Sequence, residues 1–208
     1  LLSELQARTA DLGRSVEQLT ALGEVGQAVS STLDLDTVLT TIVSHAVQLS
    51  GGNGGVIYEY DESTRMFHLR ATHGVHEETI AVLRGAHIRL GEGAMGTAAV
   101  THAPVQVPDM LDEHGSVLPR ARPSLAQAGY RSLLAVPLLL EQQIFGGLVV
   151  YRSESGSFST EVVNLLQTFA TQSTLAIQNA RLFREIGEKG QQLENASKHK
   201  SQFLANMS

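Results

Sequence analysis

The chain has 208 residues, 42% of them hydrophobic, and a formal net charge of −6 at pH 7. That length suffices for one domain of ordinary size with a sizeable core. The acidic balance argues against non-specific nucleic-acid binding, and the absence of cysteine excludes disulfides, thiolate metal ligands, thiol nucleophiles and cysteine-linked chromophores.

Apolar runs in the sequence are much shorter than the roughly 20 residues that a membrane-spanning helix needs. No charged start followed by an apolar core indicates a signal peptide. We therefore expect no membrane span in these residues and a cytoplasmic location.

The first 19 residues carry apolar side chains that alternate by three and four positions. This a/d spacing is typical of a coiled-coil seam and predicts a signalling helix over residues 1–19. In a dimer, we expect its interface to include Leu5, Leu12, Val16 and Leu19. The alternative is an amphipathic surface helix that packs on its own domain.

Asp34 or Asp36 can cap a second helix, whose apolar stripe starts at Leu35 and stops before the glycines that follow Ser50. Short helices and strands then alternate. We expect strands over residues 56–60, 66–72, 87–90 and 105–107, helices over residues 75–84 and 94–101, and a long loop with helical turns over residues 110–129.

Two stronger strands are predicted over residues 130–140 and 144–151, and Pro137 favours an edge or bulge position in the first. Ser159 is a suitable cap for a last, long helix. Its later residues keep three-four spacing to the end of the chain, which predicts a second coiled coil over residues 187–208. We expect its dimer interface to include Leu182, Ile186 and Leu193.

Four stretches carry a resemblance to a known family. They are LGEGAMGTAA at residues 90–99, VQVPD at 105–109, RSLLAVPL at 131–138, and the closing helix at 158–183. Together they resemble a GAF domain, here over residues 20–186. The resemblance implies an α+β fold: a central antiparallel sheet with the terminal helices on one face, a small-molecule pocket on the other, and dimerisation through the helices.

The same resemblance implies which residues line the pocket. Carried over by position, they are Met95, Val107, Asp109, Tyr130, Arg131 and Leu134. Core packing is the alternative for Met95, Val107 and Leu134, whereas Asp109 and Arg131 could pair with each other instead of orienting a polar ligand. The ligand itself stays unknown.

Eight histidines raise the question of a metal or haem. His68, His73 and His76 form the only sequence cluster and lack a metal-binding spacing, so we expect a solvated face and no metal site. A haem sensor with an axial ligand at His87 or His114 remains an alternative. A covalent bilin would need cysteine, and the lone G-x-G-x-x-G at residues 91–96 lacks the flanking βαβ unit of a dinucleotide site.

Lys200 and the eight residues after it, SQFLANMS, resemble the start of the phosphoacceptor motif of sensor histidine kinases. This resemblance implies a sensory module of a two-component kinase, with a response regulator as the partner of the parent protein. We identify no catalytic residues within the chain itself. The alternative is a dimerisation and relay module with a vestigial pocket.

Overall fold

A computed structural model describes residues 34–112 and 117–206. The predicted seam residues Leu5, Leu12, Val16 and Leu19, and also His114, lie outside the described residues. The elements are α1 (Leu35–Ser50), β1 (Gly54–Asp61), β2 (Met66–His73), α2 (Glu77–Arg84), β3 (Ile88–Arg89), α3 (Gly93–Thr101), β4 (Val105–Val107), α4 (Arg122–Gln127), β5 (Ser132–Leu140), β6 (Gln143–Arg152) and α5 (Thr160–Asn206).

The first described helix begins and ends where its sequence dictates. The Asp34 carboxylate accepts hydrogen bonds from the backbone N–H of Thr37 at 3.2 Å and from its hydroxyl at 2.6 Å, which caps the helix start. At the other end Gly51 adopts a left-handed conformation with φ of 62°, and its N–H donates to the Gln48 carbonyl. Glycine adopts this conformation without steric cost, so α1 stops here.

The six strands form one antiparallel sheet in the order β3-β2-β1-β6-β5-β4. Pro137 lies beyond the short stretch of β5 that β4 covers, so β4 does not pair with β5 at this position. The register of β5 with β6 shifts just after it, between Leu138 and Leu139. The edge and bulge expectation for Pro137 therefore describes the strand correctly.

Successive side chains of a strand point to opposite faces, and each face of this sheet is covered. On one face, Ile57, Leu134 and Val150 pack in a core with the stripe of α1 and the first half of α5. On the other face, Tyr58, Leu133 and Tyr151 pack in a second core with α2, α3 and α4. The α+β architecture with terminal helices on one face is confirmed.

The last helix is much longer than the domain that it closes. It has 47 residues, equivalent to about 70 Å. Ser159 precedes it and accepts a hydrogen bond from the Val162 N–H at 3.4 Å. Among the α5 residues whose burial is described, Ala180 is the last that is buried, and residues 182–195 are all exposed. The second half of α5 therefore extends away from both cores.

Candidate functional site

A small cavity lies between the sheet and the shorter helices, on the face that α1 and α5 leave free. The strands contribute its floor, and its walls come from α2, β3, the start of α3 and the segment that leads into α4. The side chains that line it include Tyr58, Leu83, Ile88, Met95, Leu118, Leu125, Leu133, Val149 and Tyr151. Its volume is about 40 Å³. That is room for about one water, whereas sites for small ligands measure roughly 300–1,000 Å³.

Two buried tyrosines supply the polar groups of the cavity floor. Tyr58 on β1 and Tyr151 on β6 both line the cavity and belong to the same core. Burial raises the pKa of both phenols well above their ordinary value, because the charged phenolate is poorly solvated there. Both hydroxyls are therefore neutral at physiological pH, and the floor offers uncharged hydrogen-bonding groups to an occupant.

An arginine fastens one wall of the cavity to the opposite side. The Arg120 guanidinium donates from Nη1 to Glu92 Oε1 at 2.6 Å, from Nε to the Ala86 carbonyl at 2.6 Å, and from Nη2 to the His87 carbonyl at 3.3 Å. Glu92 also accepts a hydrogen bond from the Arg89 N–H at 3.1 Å. We call this set of contacts the Arg120 latch. It ties the segment that carries Leu118 to the β3 region and to the start of α3.

The latch also sets the charge states of its two side chains. The hydrogen bond from Arg120 is the main cause that lowers the pKa of Glu92 below its ordinary value, and the same bond raises the pKa of Arg120. Glu92 is the only carboxylate in the described lining of the cavity, and its charge is already neutralised by Arg120. The cavity therefore presents an uncharged interior that is mostly apolar apart from the tyrosine hydroxyls.

The structure separates the six predicted pocket residues. Met95 lines the cavity, and Val107 and Tyr130 belong to the same core without lining it. Leu134 lies on the opposite face of β5, in the core under the terminal helices. Its neighbour Leu133 lines the cavity instead, as strand alternation requires.

Tyr130 and the two charged candidates already have partners within the chain. The Tyr130 hydroxyl donates to the Gly74 carbonyl at 2.8 Å. Arg131 donates to both carboxylate oxygens of Asp109, at 2.7 and 3.3 Å, and this pairing lowers the pKa of Asp109. Neither Asp109 nor Arg131 lines the cavity. This two-pronged contact matches the alternative predicted from the sequence, in which Asp109 and Arg131 pair with each other instead of orienting a polar ligand.

A family model described as the GAF domain matches residues 32–178, which is more than half of the chain. The chain belongs to the GAF domain family. GAF domains are generally sensory, non-catalytic modules, so the chain is a sensory or regulatory domain. The resemblance carried by the glycine-rich segment, the VQVPD turn and the β5 strand is confirmed at the level of the family.

The known sequences and structures that are similar to this GAF domain come from proteins of different kinds. The Nif-specific regulatory protein of Herbaspirillum seropedicae is 26% identical over 93% of this chain, which spans 32% of that relative. The GAF domain of a phosphoenolpyruvate-protein phosphotransferase from Coxiella burnetii is 23% identical, with a TM-score of 0.67 over 82% of this chain and 98% of the other. A domain from Sinorhizobium meliloti, described as part of a two-component sensor histidine kinase, is 19% identical, with a TM-score of 0.57 over 69% of this chain and 90% of the other.

The described histidines of this GAF domain do not gather around the cavity. His68 is exposed and lies 3.9 Å from the Asp61 carboxylate, and His87 is exposed with its Nδ1 2.6 Å from the Gly85 carbonyl oxygen. Within residues 34–112 and 117–206, no group of three His, Cys, Asp or Glu side chains could hold a metal ion. His87 does not line the cavity, and 40 Å³ is far too small for a haem.

A larger depression of about 450 Å³ lies on the surface between α2 and α4. Exposed polar residues dominate its lining: His76, Glu77, Glu78 and Gln127. Deeper in the depression, the Ser124 hydroxyl donates to the Thr79 hydroxyl at 3.2 Å. Because most of its lining is solvated, this depression resembles a surface groove more than a site that encloses a ligand.

Sequence patterns could have found part of the cavity. Alternation along β5 places Leu133 and Leu134 on opposite faces, and the apolar glycine-poor half of β6 places Val149 and Tyr151 together. The latch is different. Arg120 and Glu92 are 28 positions apart, and no local pattern relates them.

No helix in the described parts of the chain combines the length and the apolar character needed to cross a membrane.

Proposed function

We propose that this GAF domain is the sensory module of a two-component sensor histidine kinase and delivers its signal through α5, paired with a second copy. One observation carries the proposal. Beyond Ala180, none of the α5 residues whose burial the structure describes is buried, yet the helix keeps Leu182, Ile186 and Leu193 on one side at spacings of four and seven. These side chains are 49%, 67% and 72% exposed.

An exposed apolar row on a free helix favours a partner of the same kind. The row follows a 3.5-residue period, which matches the seam of a two-stranded coiled coil and is complementary to itself. Lys189 occupies a seam position, and its amine lies 2.6 Å from Glu185, four residues earlier. Most helical stability in proteins comes from packing of an amphipathic face, so pairing would stabilise the free part of α5. The N-terminal seam, with Leu5, Leu12, Val16 and Leu19, would extend the same dimer.

The kinase context rests on the resemblance at the end of the chain and agrees with the similar fold from Sinorhizobium meliloti. In that context, a small molecule or protein that binds one arrangement of the helices better than another would shift the population between them. The shift would change phosphotransfer to a response regulator. The signal would thus pass from the sheet, along α5, to a catalytic domain outside these residues.

The dimer is tested by sedimentation equilibrium of the whole chain at micromolar concentration. Ile186→Lys and Leu193→Lys each place a charge in the proposed seam, and we expect both to convert the dimer to a monomer. Gln191→Lys is the matched control, because Gln191 lies on the opposite side of the helix and is exposed, as Ile186 and Leu193 are. A wild-type monomer, or seam variants with unchanged mass, would contradict the proposal.

The kinase role needs a separate experiment on the full-length gene product. We expect it to autophosphorylate with ATP and to carry an acid-labile phosphate, the signature of phosphohistidine. Purified full-length protein that dimerises but never acquires this phosphate would contradict the kinase role and leave the dimer in place.

The size of the cavity favours a second candidate function, a relay module that binds no small molecule. Forty cubic ångströms is space for about one water, and the Arg120 latch holds one wall of the cavity in place. Native mass spectrometry of protein purified from its own source separates the two functions. A retained small molecule of stoichiometric mass supports ligand sensing, whereas a bare chain that still dimerises supports the relay.

A further inference from the structure

The helix α5 leaves the domain at a cluster of charged residues. Arg181 directly follows Ala180, which is 2% exposed, and residues 182–195 are all exposed. Its guanidinium donates a hydrogen bond to the Glu59 carboxylate on β1 and lies 5.6 Å from the ring centroid of Phe145 on β6. Arg181 therefore joins the root of the free helix to two adjacent strands of the sheet.

The Glu59 carboxylate also contacts a second arginine. Its other oxygen lies 3.2 Å from Nη1 of Arg70 on β2, and Nη2 of Arg70 lies 3.6 Å from Asp36 in the first turn of α1. Glu59, Arg70 and Arg181 are each about two-thirds to three-quarters buried. Networks of partly buried charges hold geometry better than isolated surface pairs, because each group has more than one partner. Glu59 is the member that contacts both arginines.

The strand that carries Glu59 also forms the cavity floor. Tyr58 and Glu59 are neighbours on β1, and their side chains point to opposite faces, Tyr58 into the cavity and Glu59 toward α5. The pairing of β1 with β2 shifts register between Ile57 and Tyr58. A displacement of Tyr58 by an occupant of the cavity would therefore move Glu59 at an already irregular point of the strand.

We infer that Glu59 is the positioning residue that fixes the root of α5 and couples it to the cavity side of β1. The inference takes from the proposed function only that α5 is the output helix. The coupling acts through strand β1. An occupant of the cavity displaces Tyr58, the backbone of β1 carries the displacement to Glu59, and the ion pair with Glu59 carries it to Arg181.

The positioning role is tested by hydrogen exchange with mass spectrometry on the whole chain. In Glu59→Gln, we expect peptides over residues 178–190 to exchange about 10-fold faster, while peptides over residues 160–172 stay unchanged, because only the root of the helix is released. Glu188→Gln is the control, because the Glu188 carboxylate lies 3.8 Å from Arg184 on the same helix and no other ion pair of Glu188 is found among the described residues. Exchange that stays unchanged at 178–190, or rises equally throughout α5, would overturn the positioning role.

A second pair of variants tests the coupling. Tyr58→Phe removes the buried hydroxyl on the cavity side of β1, and we expect faster exchange at residues 178–190 when Glu59 is present but no added effect in the Glu59→Gln background. Equal effects in both backgrounds would overturn coupling through Glu59. Sedimentation of the same samples distinguishes the two proposals. A monomeric wild type would contradict the proposed dimer seam. Hydrogen exchange at residues 178–190 instead measures the effect of contacts within one chain.

Discussion

The Met95 thioether occupies the space in which a side chain at Gly147 would lie. A Cβ atom built at Gly147 would come within 2.0 Å of Met95 Sδ and 2.1 Å of its terminal methyl. Met95 belongs to α3 and Gly147 to β6, so the contact locks the helix over the centre of the sheet. The absence of a side chain at Gly147 lets Met95 fill space beside the cavity.

This contact predicts different costs for two neighbouring glycines. Gly147→Ala should destabilise the domain by about 1–2 kcal/mol, because the flexible thioether can move aside into the cavity. Gly146→Ala should cost at least about 3 kcal/mol, because its new Cβ would lie 2.0 Å from the Tyr58 carbonyl oxygen, which is backbone in the β1–β6 ladder. Urea unfolding of both variants measures the difference. If both variants lose the same free energy of unfolding, then β6 shifts as a unit to accommodate either side chain, and Met95 does not determine the effect at Gly147.

The Arg120 latch predicts a pH dependence of stability that Glu92 carries. The pKa of Glu92 is lower in the folded protein than its ordinary value of 4.5, chiefly through the bond from Arg120. Its contribution is therefore fully present above that ordinary value and is lost as the pH falls through the lowered value. We expect wild type to exceed Glu92→Gln in urea midpoint at pH 7, and the gap to close below about pH 4.5.

The partner variant isolates the latch from the titration of other carboxylates. In an Arg120→Gln background, the effect of Glu92→Gln should be smaller at pH 7 and should change little with pH. If Glu92→Gln shows the same pH-dependent loss without Arg120, the stabilisation comes from other contacts of Glu92, and the latch interpretation is wrong.

The Tyr130 hydroxyl stabilises the fold, because it donates a hydrogen bond to the Gly74 carbonyl. Tyr130→Phe should therefore lower stability by about 1 kcal/mol. Tyr60→Phe is the matched control, because Tyr60 packs on Phe67 with ring centroids 5.0 Å apart and its hydroxyl has no hydrogen bond among the described residues. Differential scanning calorimetry measures both. A Tyr130→Phe protein as stable as wild type would indicate that water replaces the phenol at the exposed Gly74 carbonyl.

The parts of the fold that the sequence predicts are those that local chemistry determines. Asp34 and Gly51 mark the ends of α1 because capping needs only neighbouring residues. The strand expected over residues 130–140 is observed at Ser132–Leu140, and that over 144–151 at Gln143–Arg152. The α4 helix lies within the predicted loop of residues 110–129, since six residues around Pro123 give too short a pattern for periodicity.

The site was harder to predict because its contacts join distant parts of the chain. The family resemblance places Leu134 in the pocket, whereas the alternation of β5 places Leu133 there and Leu134 in the opposite core. The contacts of Arg120 with Glu92 and of Arg181 with Glu59 join residues 28 and 122 positions apart, and no period in the sequence encodes them. The cavity volume depends on how Met95 and Leu118 pack, and only the assembled fold determines that.

Ser173 on α5 offers a stabilising substitution. Its hydroxyl is fully buried and has no hydrogen-bond partner in the part of the chain that the structure describes. Ser173→Ala removes this unpaired group and favours helix, so we expect about 1 kcal/mol of added stability and a Tm higher by about 2–4 °C. Thr174→Val is the control, because the buried Thr174 hydroxyl donates to the Ala170 carbonyl at 2.8 Å, and its loss should not stabilise the domain. A lower Tm for Ser173→Ala would indicate that a buried water satisfies the hydroxyl, since the cost would then be a lost hydrogen bond.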